Sequence, residues 1–301
     1  CGAGSPGFHP ASTLSDASLF PVEFRSRVFA GPGPLHKLPA RHCVPLQIVC
    51  YEQPLNERTR ALLRLEFLFQ QVEYATTGSS IWDSRLALQG LFDILDLTGR
   101  TELKSELLKE LERHAVTLGR LRQTPGVHAA ILDEVLAKIA QVTQRIHRKL
   151  DNPSIDAVRQ TDFLSAIHKR HHVPGGACRF DLPTLHHWLQ QDSAVRNRHI
   201  QEWLEPFAPM REAVVLILRL IRDSATSRAE LAVQGFFQRG LDSTVSNQLI
   251  RVLLPAGDGI FPEISAGRQR FTIHFLEQPD PNRRAVQSRA DIPFELACCA
   301  I

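Results

Sequence analysis

Apolar residues recur every three or four positions through much of the first half of this chain, and this spacing constrains its fold more than any other feature. The first such segment, near residues 55–74, carries Leu62, Leu65, Phe69 and Val72. Similar segments follow near 81–97, 103–118 and 131–150. Spacing of this kind places the apolar side chains on one face of an α-helix. Because the links between these helices are short, the sequence predicts an antiparallel helical bundle.

Helical segments continue to about residue 228. A short helix, a break at Pro174-Gly175-Gly176 and a possible strand at 177–182 come first. Helices are then expected near 183–190, near 193–205 and from Pro209. The last of these is apolar on nearly every face between Val214 and Leu218, so we expect it to be the buried helix of the bundle.

Short apolar segments separated by turn signals replace the helical pattern after about residue 228. These segments are Leu231 to Gln238, Val245 to Leu254, Gln269 to Leu276 and Phe294 to Cys299. They predict a smaller antiparallel β-domain over residues 229–301, which a strand at 46–53 joins. Residues 54–228 are predicted to form a mainly α-helical bundle domain. Its possible strand at 177–182 is expected to join the β-domain. The chain is therefore expected to be an α+β protein.

Residues 1–45 follow neither pattern. Proline and glycine are dense there, as in Gly31-Pro32-Gly33-Pro34, and such density excludes a helix or an interior strand. We expect this segment to be a disordered extension that is dispensable for folding.

The charge and cysteine content limit the classes of function. The net charge is +3 over 301 residues, far below the bias of a dedicated nucleic-acid-binding protein. The six cysteines show no zinc-binding spacing, so we expect reduced thiols. No run of about 18 or more uncharged apolar residues occurs. We therefore expect no membrane insertion and a cytoplasmic location.

Few residues are arranged as catalytic or metal-binding motifs. His168-Lys169-Arg170-His171-His172, followed by Cys178, is the densest group of possible metal ligands. A zinc site needs ligands that converge on one point, whereas these histidines lie beside other basic residues, so we interpret the run as a solvated basic helix end. No glycine-rich phosphate loop, metalloprotease motif or ordered Ser/His/Asp set occurs. We expect no catalysis and no metal.

The predicted strand at 269–276 carries a regular alternation of side chains. One face, expected to be the core side, holds Phe271, Ile273 and Phe275. The opposite face holds Arg268, Arg270, Thr272 and His274. One interpretation is a solubilising outer face that discourages pairing at a sheet edge. The other is a cationic groove for an acidic peptide or a phosphate backbone.

Four ordered motifs resemble those of the ZapD family of bacterial cell-division proteins. They are Pro54-Leu55-Asn56-Glu57-Arg58 with Leu63 to Leu68, Leu107 to Leu111, Pro174 to Leu189, and Phe294 to Cys299. The run from Pro174 to Leu189 is the most specific match, and the resemblance extends from about Leu46 to the end of the chain. It implies a helical domain plus a β-domain, a homodimer, no enzymatic activity and no cofactor.

The same resemblance implies a function and a binding surface. The chain is expected to bind the C-terminal tail of FtsZ and to cross-link FtsZ filaments at the midcell division ring. Tail-binding positions of the family correspond to Arg64, Arg100, His186 and Arg270, and the alternation at 269–276 adds Arg268 and His274. Relatives can carry arginine where this chain has Asp162 and His274. The alternative function is a nucleic-acid-binding module that uses the same basic face.

Overall fold

The computed structural model describes residues 48–99, 103–125, 128–149, 153–242, 244–257, 259–267 and 269–300. The extension predicted at 1–45 and the candidate residues Arg100 and Arg268 lie outside these ranges. Within them, helices dominate up to residue 223 and antiparallel strands follow. The predicted α+β class is confirmed.

The helices follow the predicted periodicity closely. They are α1 (Glu57–Thr77), α2 (Ile81–Gly99), α3 (Leu103–Arg120), α4 (Ala129–Lys149), α5 (Pro153–Gln160), α6 (Asp162–His171), α7 (Pro183–Leu189), α8 (Ser193–Leu204) and α9 (Ala208–Asp223). Asn56 caps α1, because its side-chain oxygen accepts a hydrogen bond from the Thr59 amide at 2.8 Å. The stripe predicted on α1 is buried along its whole length. The single short helix expected before the break at Pro174-Gly175-Gly176 is in fact two helices, α5 and α6, which meet at Thr161.

Helix α9 lies at the centre of the helical layer. It packs against α1, α3 and α4 and also against strands of the β-region. Val214, Ile217 and Leu218 are buried, but Val215 is 49% exposed. The helix is therefore buried as predicted, yet amphipathic rather than apolar on every face. None of the described helices has the length and apolarity needed to cross a lipid bilayer.

The strands form two stacked antiparallel sheets. The strands are β1 (Ile48–Pro54), β2 (Arg228–Ala232), β3 (Phe236–Gly240), β4 (Asn247–Pro255), β5 (Ile260–Ala266), β6 (Arg270–Glu277), β7 (Val286–Gln287) and β8 (Ile292–Ala300). The order β1-β4-β8-β2 makes one sheet, here called the inner sheet. The order β3-β6-β5 makes the other, the outer sheet, in which β7 also pairs with β6.

The inner sheet separates two apolar cores. Toward the helices it presents Leu249, Ala297 and Cys299. Toward the outer sheet it presents Ile250, Val252, Leu254, Ile292, Phe294 and Leu296. Side chains alternate between faces along a strand, so the two sets have opposite parity. The molecule is thus layered in the order helices, inner sheet, outer sheet.

The prediction of a strand at 177–182 is wrong, because this segment consists of turns. Gly175, at φ 71°, begins a series of turns in which the Cys178 amide donates to the Gly175 carbonyl at 3.0 Å and the Leu182 amide to the Cys178 carbonyl at 3.1 Å. These amides are used within the segment and are not available to a neighbouring strand. Phe180 is 83% exposed, so the segment also lacks the buried face of a strand.

The segment Leu231 to Gln238 is two strands rather than one. Gln234 and Gly235 have φ values of 50° and 68° and form a tight turn in which the Phe236 amide donates to the Val233 carbonyl at 3.0 Å. This turn takes the chain from β2 in the inner sheet to β3 in the outer sheet. Strand β5 was not predicted; it contains Pro262, and it lies at an edge of the outer sheet, where proline is tolerated.

Candidate functional site

The outer face of β6 is the first of the predicted binding surfaces. Phe271, Ile273 and Phe275 are buried between the sheets, which confirms the predicted core side of the strand. Arg270 lies on the opposite face and is exposed. Its side chain makes no hydrogen bond or ion pair with any other residue of the described ranges. An incoming anion would therefore displace no protein partner from its guanidinium group.

His274 lies on the same face, and its imidazole already has neighbours. Its Nδ1 is 3.1 Å from Oε1 of Gln287, and its ring packs 5.0 Å from that of Phe236 on β3. In the neighbouring strand β5, Glu263 is directly opposite His274 in register. The described part of this face therefore combines one exposed arginine with a half-buried histidine and a nearby carboxylate. β6 is central in its sheet and not an edge strand, so protection of an edge does not explain its basic residues.

Arg64 lies in a cleft beside α1. This α1 cleft has a volume of about 590 Å³, and its walls come from α1, the C-terminal half of α2 and the end of α6. Its lining residues include Arg60, Phe67, Asp93, Asp96 and His172. Arg60 pairs with Glu57 at 2.5 Å, whereas Arg64 forms no ion pair within the described part of the chain. Phe67 is 64% exposed, which gives the cleft an apolar wall beside the arginine.

His186 lies on α7, within the most specific family motif. Leu185, Trp188 and Leu189 form the buried side of this helix, and His186 is half-buried at its margin. The His186 amide donates to the Leu182 carbonyl at 3.0 Å, which is a backbone contact only. Its imidazole has no hydrogen-bonding partner among the residues that the structure describes.

The structure does not bring these candidate residues into one site. Arg270 faces away from the core of the outer sheet, and the inner sheet lies between that core and the helices that carry Arg64 and His186. No hydrogen bond, ion pair or ring contact between described residues joins any two of the three. They form separate basic points on the surface.

The histidine run at 168–172, with carboxylate partners that the sequence did not indicate, lies at one wall of the α1 cleft. Three histidines at the end of α6 face two carboxylates of α2. His168 Nε2 is 3.0 Å from Asp96 Oδ1, and His172 Nε2 is 3.6 Å from Asp96 Oδ2. His171 Nε2 is 3.5 Å from Asp93 Oδ1. The prediction of a solvated basic helix end missed both acids, because they belong to a helix more than 70 positions earlier in the chain.

The two cysteines near the C-terminus are poor nucleophiles. Burial raises the pKa of Cys299 to about 12, and burial also raises the pKa of Cys298. Both thiols therefore stay protonated near neutral pH.

The chain is similar to known proteins over most of its length. A family model described as "ZapD: Cell division protein" matches residues 63–274. The protein called Cell division protein ZapD in Methylococcus capsulatus is 40% identical over 253 residues, which cover 84% of this chain and 98% of that protein. Proteins of the same name in Nitrosomonas europaea and Yersinia enterocolitica are 34% and 36% identical, over 86% and 83% of this chain and 98% and 97% of their own lengths.

Proposed function

The chain belongs to the ZapD family of cell division proteins, and from that membership we propose that it binds the C-terminal tail of FtsZ and cross-links FtsZ filaments at the midcell division ring. The observation that carries the proposal is the match to this family over more than four-fifths of the chain. A role in cell division follows from the family itself. The identity of the partner, the use of its tail and the bundling of filaments are the proposed part.

The exposed arginines support an acidic tail as the ligand. Arg64 and Arg270 make no ion pairs within the described ranges, so their charge is available to a ligand carboxylate. A guanidinium fork matches a carboxylate with two parallel hydrogen bonds. Each exposed pair contributes only about 0–1 kcal/mol, so a single tail binds weakly and is sensitive to salt.

Weak individual contacts can hold two filaments together when both partners carry several binding sites. A filament presents one tail for each subunit, and a two-fold homodimer presents every basic point twice. Linked sites bind with an avidity well above the affinity of one site. A dimer that holds tails from two filaments is then a cross-link.

Co-sedimentation with FtsZ filaments tests the proposal. The wild-type chain should pellet with full-length FtsZ and form bundles at low salt, and it should fail to pellet with FtsZ that lacks its C-terminal tail. Pelleting that survives removal of the tail, combined with binding to DNA, would contradict the proposal and favour a nucleic-acid-binding module.

Charge reversal at Arg270 tests the surface. Arg270→Glu should weaken bundling sharply, because it replaces an attraction to an acidic tail with a repulsion. It should leave thermal stability nearly unchanged, since Arg270 is exposed. Arg64→Glu should act in the same way from the helical layer. Arg148→Glu is the matched control: Arg148 is exposed on α4, and the variant carries the same change in net charge.

A second control separates the surface from the fold. Phe271 is adjacent to Arg270 but 1% exposed, so Phe271→Glu should destabilise the protein by placing a charge in the core. If Arg270→Glu and Arg148→Glu bundle filaments equally well, the outer face of β6 is not the tail-binding surface.

A further inference from the structure

We propose that Asp96, His168 and His172 form a binding site for a divalent transition-metal ion, with zinc the best fit. The carboxylate of α2 and the two imidazoles at the end of α6 each offer one ligand atom, and the three atoms lie within 4.8 Å of one another. Two imidazoles and one carboxylate are a ligand set that zinc accepts while keeping a fourth position open. Imidazole ligands also select against magnesium and calcium, which prefer oxygen.

The distances suit an ion of this size. Tetrahedral zinc with bonds of about 2.0–2.1 Å holds its ligand atoms about 3.3–3.4 Å apart. Asp96 Oδ1 lies 3.0 Å from His168 Nε2, and the other carboxylate oxygen, Oδ2, lies 3.6 Å from His172 Nε2, so the two imidazoles approach one carboxylate at close to that separation. No two of the three ligand atoms are more than 4.8 Å apart, and binding of one ion would draw them to the tetrahedral separation by side-chain rotation.

The local fold positions the ligands in advance. His168 and His172 are four residues apart and therefore lie on one side of the end of α6. The His168 ring stacks on Phe92 of α2, with centroids 5.1 Å apart and planes 15° apart, and Phe92 is 1% exposed. Phe92 lies one turn before Asp96, so the same helix orients one imidazole and supplies the carboxylate. The C-terminal end of a helix also carries partial negative charge, which favours a cation there.

The site is accessible from solvent through the α1 cleft. The side chains of Asp96 and His168 are 31% and 34% exposed, and that of His172 is 73% exposed. Asp96 and His172 both line the α1 cleft, on whose walls Arg64 also lies. An ion held by these residues would have its remaining position open to water or to a carboxylate of a ligand in the cleft.

Titration of the full-length chain with Zn²⁺ in a calorimeter, after treatment with a chelator, tests the site. The chain has other histidines and cysteines that can take up zinc, so the decisive quantity is the difference between variants. His172→Gln and Asp96→Asn should each bind one ion per chain fewer than the wild type, or bind that ion at least about tenfold more weakly. His147→Gln, which removes an exposed histidine on α4, should bind as the wild type does.

A cobalt titration gives an independent readout. Co²⁺ bound tetrahedrally absorbs visible light strongly, and the band should be present in the wild type and in His147→Gln but weak in His172→Gln. Circular dichroism of each variant checks that it is folded, and His172 is exposed enough to be replaced without loss of packing. Equal zinc uptake by His172→Gln, Asp96→Asn and the wild type would overturn the proposal and leave the cluster as hydrogen-bonded ion pairs.

Discussion

Among single residues, His114 occupies an unusual environment in the helical core. It is fully buried on α3, and neither of its ring nitrogens has a hydrogen-bonding partner within the described ranges. Glu110, one turn earlier, is also buried, and its Oε2 lies 3.9 Å from His114 Nε2, beyond hydrogen-bonding distance; Arg58 and Arg113 pair with its carboxylate. Burial, with a smaller effect of the Arg113 charge, lowers the pKa of His114 to about 3. The imidazole is therefore neutral in the folded protein.

The folded protein should become less stable as the pH is lowered, because His114 cannot take up a proton in its buried site. In the unfolded chain its pKa is near 6.5, so between pH 6.5 and about 3 the unfolded state binds the proton and the folded state does not. Acidification through this range should cost about 1.4 kcal/mol of the free energy of unfolding per pH unit. Urea unfolding at pH 7.5 and 5.5 measures the effect. His114→Leu should lose this part of the pH dependence, whereas His147→Leu, at an exposed site, should keep it.

Other single residues show what local patterns can predict. The parity of β6 follows from the geometry of any strand, so the burial of Phe271 and the exposure of Arg270 were predictable from the sequence alone. The contact between Asp96 and His168 was not, because it depends on how α2 packs against α6. A pattern in the sequence indicates which face a residue occupies, but not which residue lies opposite it.

At the scale of elements, Arg222 joins the helices to the inner sheet. From α9 it donates two hydrogen bonds to the Glu66 carboxylate of α1, both at 2.7 Å, and two to the Glu52 carboxylate of β1, at 2.9 and 2.8 Å. Arg251 of β4 also donates to Glu52 at 3.0 Å. The Glu66 and Glu52 carboxylates raise the pKa of Arg222 despite its burial, so its charge is permanent.

Removal of this arginine should be costly. Arg222→Leu leaves Glu66 mostly buried beside an apolar side chain, and loss of one member of a buried ion pair costs about 3 kcal/mol. The control is Arg219→Leu one turn earlier, where the side chain is 64% exposed and faces Asp223 at 3.6 Å. That change should cost at most about 0.5 kcal/mol. Denaturant titration of both variants would contradict the prediction if the two losses were equal.

The turn between β2 and β3 is the element that allows two sheets to form. At Gly235, with φ 68°, a Cβ atom would lie 2.4 Å from the Ser288 carbonyl oxygen. Gly259 has a similar φ of 64°, but nothing described lies within 4 Å of a Cβ atom there. The two glycines thus share a backbone conformation and differ in the space around them.

Alanine substitutions should separate these two effects. Gly259→Ala meets only the cost of a left-handed backbone, about 1–2 kcal/mol. Gly235→Ala carries the same backbone cost, and its Cβ atom would also clash with the Ser288 carbonyl, which cannot move without disturbing β7. The melting temperature of this variant should therefore fall further. Thermal unfolding monitored by circular dichroism gives the comparison, and equal melting temperatures would show that the turn tolerates a side chain.

Elements were predicted well where the signal is local and poorly where it is not. Long helices with a clear apolar stripe, such as α1 and α4, are found close to their predicted positions. The prediction of a strand at 177–182 was wrong because the glycines and the hydrogen bonds within the turns stabilise a turn conformation there more than a short apolar segment stabilises a strand. The break at Gln234-Gly235 inside a predicted strand was missed because glutamine rarely adopts a positive φ.

At the scale of the whole molecule, the candidate binding residues are spread over separate layers. Arg270 is on the outer sheet, while Arg64 and His186 are in the helical layer. Family motifs identify such positions but contain no distances between them, which is why the sequence could not predict this separation. One chain therefore carries several separate basic residues on its surface. A protein that cross-links filaments also needs binding sites that face two different filaments.

This arrangement leads us to expect a homodimer. The sequence shows no internal repeat that would duplicate the candidate binding residues within one chain, so the proposed cross-linking would need a second copy to supply the second set. Light scattering coupled to gel filtration should give about twice the 33.8 kDa of one chain across the range of concentrations in which bundling is seen. A monomer mass throughout that range would contradict the prediction.

The position of β1 has a consequence for synthesis on the ribosome. β1 emerges before every described helix, yet its partner in the sheet is β4, and Asn56, two residues after β1, donates a hydrogen bond to Gln248, 192 positions later. β4 in turn pairs with β8, which is completed only at residue 300. A nascent chain can form its helices early, but their apolar core stays open until Leu249, Ala297 and Cys299 arrive. A chain truncated before Ala297 should therefore remain open to chaperones and proteases, although every described helix has been made.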